Sequence, residues 1–208
     1  YGANPWAYSQ AARRDTTSFA EYENKVRERG AQFIRTVESE LPGAVILTFF
    51  QLSYFSDLLV PMAPEDRAAA LSSKHYAFLP AFLNGMLDAA SPEVRFVDGN
   101  ERAYYYTKPD AYFRNYQTVT QGGLLLVDPA NHETYRRQMQ VGNALYIDQY
   151  FGLRTRKVLG NYLEPNEQAQ WFEHNTYWAL STADEYVWCY SERMHWFRNE
   201  SIPPSCED

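Results

Sequence analysis

Segments with a helical hydrophobic period alternate with short apolar segments along this chain, and this alternation restricts its fold more than any other feature. A long amphipathic helix is predicted from the capping box Ser18-Phe-Ala-Glu21 to the stop at Pro42-Gly43. Further helices are predicted at residues 75–90, after Pro109, around Tyr135 and after Pro165. Strands are predicted between them, at residues 44–50, 94–97, 141–147 and 186–191.

This order predicts an α/β fold of parallel (βα) units with right-handed crossovers. Four units form either half of a TIM-type (βα)8 barrel or an open four-stranded parallel α/β sheet. No predicted strand is followed by a Gly-rich phosphate turn, which argues against a nucleotide-binding open sheet. The half-barrel explains more, because every predicted strand ends in polar or aromatic residues and a barrel assembles its site from those ends.

The predicted domain organisation follows from the half-barrel. The 208 residues are expected to form a single α/β domain or the C-terminal half of a larger barrel, with an irregular lead-in at residues 1–17 and a polar tail at 197–208. Trp6 and Tyr8 in the lead-in have no evident partner within the chain. The first and last strands are expected to be open edges, covered by a missing N-terminal half or by a homo-oligomeric partner.

Composition excludes several partner classes. The formal net charge of −7 and the lack of a Lys/Arg run argue against nucleic acid and against an acidic membrane surface. No apolar run reaches the roughly 18 residues of a membrane span, so a soluble chain is expected, with a secreted or periplasmic location slightly favoured. The aromatic share of 16%, with 17 Tyr and 5 Trp, suits either a sugar-binding surface or an aromatic-rich core.

Cysteine and histidine give no sign of a metal site. The chain has no CxxC, and its four histidines are scattered, so no metal and no cofactor are predicted. Cys189 is expected to be a buried small hydrophobe within a strand, while Cys206 belongs to the polar tail. Whether these two cysteines are paired is left open by the sequence.

The last predicted strand carries the strongest functional pattern. Residues 186–191 are uncharged and are expected to be covered on both faces. Because side chains alternate, Trp188, Tyr190 and Glu192 share one face, which places a carboxylate in line with aromatic rings. That arrangement is typical of a sugar-binding cleft. The alternative is a buried strand that ends in a solvated Glu192-Arg193 pair.

A family resemblance rests on four segments. Val97-Asp-Gly-Asn-Glu101, Ala103-Tyr-Tyr-Tyr, Val141-Gly-Asn-Ala-Leu-Tyr-Ile-Asp148 and Asp184-Glu-Tyr-Val-Trp-Cys-Tyr-Ser-Glu192 resemble the C-terminal half of bacterial (βα)8-barrel proteins of the glycoside-hydrolase superfamily. The resemblance would cover nearly the whole chain and implies a carbohydrate-active barrel. In such proteins the first four strands precede a segment similar to residues 1–9, and in many of them the fourth strand supplies the acid/base carboxylate.

Glycoside hydrolysis needs two carboxyl groups, about 5–5.5 Å apart for retention or about 6.5–9.5 Å apart for inversion. Candidates at the strand ends are Glu192, Asp98, Glu101 and Asp148. Glu192 is favoured as one member, because its aromatic neighbours would favour a protonated acid. Each candidate also has a structural interpretation, as a turn residue, a cap or a solvated charge.

The predicted substrate-binding residues are mainly aromatic: Trp188, Tyr190, Tyr104, Tyr146, His195 and Trp196. The expected partner is an oligosaccharide or polysaccharide. Three functions remain open: a glycoside hydrolase, a non-catalytic carbohydrate-binding barrel, and a structural fragment of a larger enzyme. The first rests partly on the fold, which does not by itself fix function.

Overall fold

The computed structural model describes residues 4–198, 200 and 202. Helices and short strands alternate along this part of the chain. The helices are α1 Phe19–Glu40, α2 Pro64–Ser72, α3 Leu79–Ala89, α4 Pro109–Thr120, α5 His132–Gln138, α6 Ile147–Tyr150 and α7 Pro165–Ser181. The strands are β1 Val45–Thr48, β2 Arg95–Asp98, β3 Met139–Val141, β4 Asn143–Tyr146 and β5 Val187–Tyr190. The predicted α/β class with parallel strands is confirmed.

The strands form two small parallel sheets, one with the order β1-β2-β3 and one with the order β4-β5. The chain passes between the sheets at Gly142, whose N–H donates to the Asp98 carbonyl at 2.8 Å. A Cβ at Gly142 would lie 3.0 Å from the Val97 side chain and 3.1 Å from the Tyr186 carbonyl oxygen. The predicted strand at 141–147 is interrupted at Gly142, where the backbone hydrogen bonds change partner from Asp98 of β2 to Tyr186 beside β5, and it ends before Ile147, which begins α6.

Helix α1 begins with the predicted capping box. The Ser18 hydroxyl accepts from the Glu21 N–H at 3.3 Å, and the Glu21 carboxylate accepts from the Ser18 N–H at 2.8 Å. The helix then packs closely on α3 through two glycines. A Cβ on Gly30 would lie 2.1 Å from the Phe82 carbonyl oxygen, and one on Gly85 would lie 1.8 Å from that of Arg27. Only glycine allows the two backbones to approach in this way.

Two hydrophobic clusters stabilise the fold, one beside each sheet. The first includes Ile34 of α1, Leu83 of α3 and Phe96 of β2. The second includes Leu145 of β4 and Tyr150 of α6. Each sheet therefore packs against its own helices.

The first strand is not doubly buried, contrary to prediction. Val45, Leu47 and the following Phe49 are 43%, 38% and 60% exposed. β1 is an edge strand that pairs only with β2. Of these three alternate residues, Phe49 stacks on Trp188, while Val45 and Leu47 remain accessible.

The last strand is also less covered than predicted. Val187 and Trp188 are partly buried, whereas Cys189 and Tyr190 are exposed. Since β5 is paired only with β4, it has a free edge, and the expectation of a buried Cys189 is wrong. Cys206 lies outside the described residues, so the question of its pairing with Cys189 is the same as at the sequence level.

The aromatic lead-in has partners within the chain, so that expectation is wrong. The Trp6 ring packs edge-on against Phe82 at 5.3 Å between centroids. The Tyr8 ring lies 5.3 Å from Phe19 and 6.2 Å from Phe78. Aromatic residues on α1 and around the start of α3 provide this surface. Most of the predicted polar tail, residues 199, 201 and 203–208, lies outside the described residues.

Candidate functional site

Asp98, the last residue of β2, faces inward. It is fully buried, and its carboxylate accepts from the Ser53 N–H at 2.8 Å, the Ser53 hydroxyl at 2.5 Å and the Asn100 N–H at 3.2 Å. Burial raises the pKa of Asp98, while these donors oppose the rise. The carboxylate thus fastens the turn after β2 to the segment after β1. A catalytic role for Asp98 stays a prediction.

The turn after Asp98 is held by a buried amide network. Asn100 adopts a left-handed conformation with φ of 45°, and its Nδ2 donates to Asn143 Oδ1 at 2.8 Å. The Tyr106 hydroxyl donates to Asn100 Oδ1 at 3.2 Å, and Asn143 Nδ2 donates to the Ala179 carbonyl at 3.0 Å. This network joins the two sheets and fixes the start of the 3-10 helix Glu101–Tyr105.

Asp148 has a matching inward position at the end of the second sheet. It is fully buried in α6, and its two oxygens accept from the Ser191 hydroxyl at 2.6 Å and the Glu192 N–H at 2.7 Å. Ser191 Oγ also accepts from the Met194 N–H at 2.9 Å. Asp148 therefore fixes the backbone from which Glu192 extends, and its predicted catalytic role stays a prediction.

Glu101 and Glu192 line one open cleft of about 440 Å³, which we call the aromatic cleft. It lies at the C-terminal ends of the parallel strands, because its residues end or follow β1, β2, β4 and β5, except for Arg154, which follows α6. Its lining is Phe49, Glu101, Arg102, Tyr104, Tyr105, Tyr146, Arg154, Tyr190 and Glu192. The strand-end carboxylates thus separate into two that face inward and two that face a common cleft.

Three tyrosine rings form the wall of the aromatic cleft. Tyr104 is stacked with Tyr190 at 5.9 Å between centroids and 16° between planes, and Tyr146 lies 4.9 Å from Tyr104 and 5.4 Å from Tyr190. Trp188 lies behind this wall: it stacks on Phe49 at 5.1 Å, and its Nε1 donates to the Gly99 carbonyl at 2.8 Å. Tyr190 therefore lines the cleft, while Trp188 supports it.

The carboxylates and the tyrosine hydroxyls influence one another. The Tyr190 hydroxyl donates to Glu192 Oε1 at 3.5 Å. The pKa of Tyr190 is raised by burial, by Glu192 and, more weakly, by Glu101. Burial raises the pKa of Tyr146 to about 12 against the opposing effect of Arg154. Burial also raises the pKa of Glu101. Both carboxylates consequently act on the same phenol, and Glu101 retains its proton to a higher pH than a solvated glutamate.

Four cleft residues were not predicted from the sequence. Arg154 lies over the Tyr146 ring at 5.2 Å from its centroid, and Arg102 lies over Tyr54 at 5.8 Å. Phe49 and Tyr105 complete the lining. Phe49 follows an apolar strand and Tyr105 belongs to the triplet 104–106, so both carried a usable signal; Arg154 lies in a loop whose position the sequence does not define.

His195 and Trp196 do not line the aromatic cleft. Both are exposed, and His195 is held by a backbone bridge in which its N–H donates to the Glu200 carbonyl at 3.0 Å. Their predicted roles in substrate binding stay predictions.

No protein-family model, no curated protein and no solved structure matches this chain. The resemblance to glycoside hydrolases therefore remains a proposal that depends on the aromatic cleft. In the described part of the chain, none of the helices has the length and apolar character needed to cross a membrane.

Proposed function

We propose that the aromatic cleft binds a saccharide and that Glu101 and Glu192 are an acid/base pair for glycosidic-bond hydrolysis. The observation that carries this proposal is the presence of both carboxylates in one cleft with the exposed rings of Tyr105 and Tyr190. Aromatic rings offer an apolar face to the C–H face of a sugar, while carboxylates and guanidiniums bond its hydroxyls. The cleft has both components.

The proposed roles follow from the local environments. Burial raises the pKa of Glu101, which suits a proton donor to the leaving-group oxygen. Glu192 is exposed, and its backbone N–H donates to Asp148, which suits a carboxylate held in a fixed position. Glu192 would then act as the nucleophile or as the base that activates water.

We propose further that the two parallel sheets are half of a (βα)8 barrel. Two features support this: the strand path continues from β3 into β4 at Gly142, and β1 has the exposed alternate residues Val45, Leu47 and Phe49. Four (βα) units cannot close a barrel that normally takes eight strands, so uncovered edges are expected at both ends. The location of the cleft at the C-terminal ends of the strands also agrees with a barrel site.

Binding is tested with cellotetraose, xylotetraose, mannotetraose and chitotetraose in turn, followed by tryptophan fluorescence and calorimetry. Tyr190→Ala is expected to weaken binding of the preferred tetrasaccharide about tenfold, because it removes one ring from the wall. Tyr177→Ala is the matched control, since Tyr177 is 61% exposed on α7 and does not line the cleft. Binding to none of the four, or equal affinity in Tyr190→Ala, would refute the proposal.

Hydrolysis is tested on the tetrasaccharide that binds. Glu101→Gln and Glu192→Gln are expected to lower kcat by roughly 10²–10⁴-fold with little change in affinity, because each amide keeps its shape but loses proton transfer. Proton NMR of the first product shows whether the anomeric configuration is retained or inverted. Tight binding without turnover in the unmodified chain would instead indicate the non-catalytic carbohydrate-binding alternative.

A further inference from the structure

A second pocket of about 360 Å³ adjoins the aromatic cleft and has a different chemical character. It lies between the 3-10 helix Leu52–Phe55, the 3-10 helix Glu101–Tyr105 and α4. Its lining is Ser53, Ser56, Arg102, Tyr106, Ala111, Arg114, Asn115 and Thr118. Arg102 lines both this pocket and the aromatic cleft. We call this second pocket the anion pocket.

The charge of the anion pocket is positive. Two guanidiniums line it, and among the described residues no carboxylate does. This is unusual in a chain with a formal net charge of −7. Arg102 Nη1 donates to Ser56 Oγ at 3.0 Å, which holds this guanidinium at the wall. Arg114 makes no hydrogen bond or ion pair with any described residue, so its donors are free for a ligand.

The pocket residue Ser53 is hydrogen-bonded to the carboxylate of Asp98, which is fully buried and does not line the pocket. The Ser53 N–H and hydroxyl both donate to that carboxylate. Asp98 therefore does not neutralise the two arginines within the pocket.

Asn115 adds a buried amide to the lining of the pocket. Its side chain is 5% exposed and lines the pocket, yet its Nδ2 has no hydrogen-bond partner among the described residues. A buried donor without an acceptor costs free energy, and such groups in native proteins are normally satisfied by another protein group, by water or by a ligand. In a pocket that is also lined by two arginines, the acceptor that satisfies this amide is most simply an anion.

We propose that the anion pocket binds an oxyanion, with Arg102 and Arg114 providing charge-assisted hydrogen bonds and Asn115 a neutral donor. Arginine suits this role because its planar fork of donors matches the oxygens of sulfate, phosphate and carboxylate groups. The oxyanion is either a free inorganic ion or an acidic substituent on a saccharide in the aromatic cleft, since Arg102 borders both. The proposal stands without the saccharide proposal, because the pocket is complete without the tyrosine wall.

Calorimetric titration with inorganic sulfate and then inorganic phosphate tests the pocket, with ionic strength held constant by chloride. Arg114→Gln is expected to weaken sulfate binding about tenfold, the loss of roughly one charge-assisted contact. Arg156→Gln is the control, since Arg156 is exposed and lies outside both pockets. Far-UV circular dichroism verifies that α4 is intact in Arg114→Gln.

Glucose 6-sulfate and glucose distinguish the two sources of the oxyanion. Tighter binding of glucose 6-sulfate than of inorganic sulfate, with the gain lost in Tyr190→Ala, assigns the oxyanion to a saccharide substituent. If glucose 6-sulfate and inorganic sulfate bind equally tightly, and Tyr190→Ala changes neither affinity, the oxyanion is assigned to a free ion. Either result supports the anion pocket. Failure of sulfate, phosphate and glucose 6-sulfate to bind, or equal losses in Arg114→Gln and Arg156→Gln, would overturn the proposal.

Discussion

The two hydrogen bonds that Asp148 accepts from Ser191 and Glu192, just after β5, are expected to contribute strongly to the stability of the site. Asp148 is fully buried, and its oxygens accept from the Ser191 hydroxyl at 2.6 Å and the Glu192 N–H at 2.7 Å. Asp148→Asn preserves the shape but places an amide N–H₂ where one of these oxygens was. If the remaining oxygen accepts from the Glu192 N–H, the amide nitrogen faces Ser191 Oγ, which already accepts from Met194.

The size of the effect follows from these bonds. The Ser191 hydroxyl proton loses an ionised acceptor, a loss of about 1.5–3 kcal/mol. The bond to the Glu192 N–H changes from a charged to a neutral acceptor, which removes about 1 kcal/mol more. Relief of the buried charge offsets part of this sum, so we expect Asp148→Asn to lower the free energy of unfolding by about 2–3 kcal/mol.

Ser191→Ala removes the other partner of the same bond, and the double variant tests whether the two residues act together. Urea denaturation at pH 7, followed by tryptophan fluorescence, gives the free energy of unfolding of each variant. The double variant is expected to lose about 1.5 kcal/mol less than the sum of the single losses, because the shared bond is counted in both. Losses that add to within about 0.5 kcal/mol would refute the proposed coupling.

Two further predictions concern the fold around the site. Burial raises the pKa of Asp98 above its usual 3.8, so its contribution to stability is full below that value and is lost as pH rises through the folded pKa. As pH rises from 3.8 through the pKa of folded Asp98, the free energy of unfolding of the unmodified chain, measured by urea denaturation, should therefore fall relative to that of Asp98→Asn. The same pH dependence in both proteins would contradict this prediction. In the same assay, Gly85→Ala should lower the free energy of unfolding by about 3 kcal/mol, since the new Cβ would lie 1.8 Å from the Arg27 carbonyl oxygen. The control Ala20→Gly, on the exposed side of α1, should lower it by only about 1 kcal/mol.

Local signals in the sequence predicted local structure well. The capping box Ser18-Phe-Ala-Glu21 fixes the start of α1 through bonds between neighbouring residues, so it requires no knowledge of the tertiary fold. Helix α2 has no counterpart among the helices predicted from the sequence. In the structure Pro64 occupies the first turn of α2, followed by Glu65 and Asp66, a favourable helix start with proline and acidic residues at the N-terminus.

Burial of the strands was predicted less well, for a physical reason. An apolar run such as 44–50 is typical of a strand covered on both faces, but the sequence does not show which strands lie at an edge. Likewise, the break at Gly142 lies where the backbone hydrogen bonds change partner from Asp98 to Tyr186, which are far apart from each other in the chain. Edge positions and close approaches are tertiary properties, and hydrophobic periodicity carries no information about them.

The site shows the same division between local and long-range information. Four strand-end carboxylates were predicted from their position after apolar segments, and the structure brings two of them, Glu101 and Glu192, into one cleft. The sequence did not indicate that Asp98 and Asp148 face inward. Their orientation depends on hydroxyl partners far away in the chain, Ser53 and Ser191, 45 and 43 residues distant.

The inward and outward carboxylates are best understood as two pairs with a common construction. Asp98 fixes the turn that begins the 3-10 helix of Glu101, and Asp148 accepts the backbone N–H of Glu192 itself. In each pair a buried carboxylate, bonded to a serine, determines where an accessible one extends. Because the inward members hold backbone and the outward members face the cleft, substitution of an inward aspartate should disturb the cleft through geometry, whereas substitution of an outward glutamate should change its chemistry and leave the fold intact.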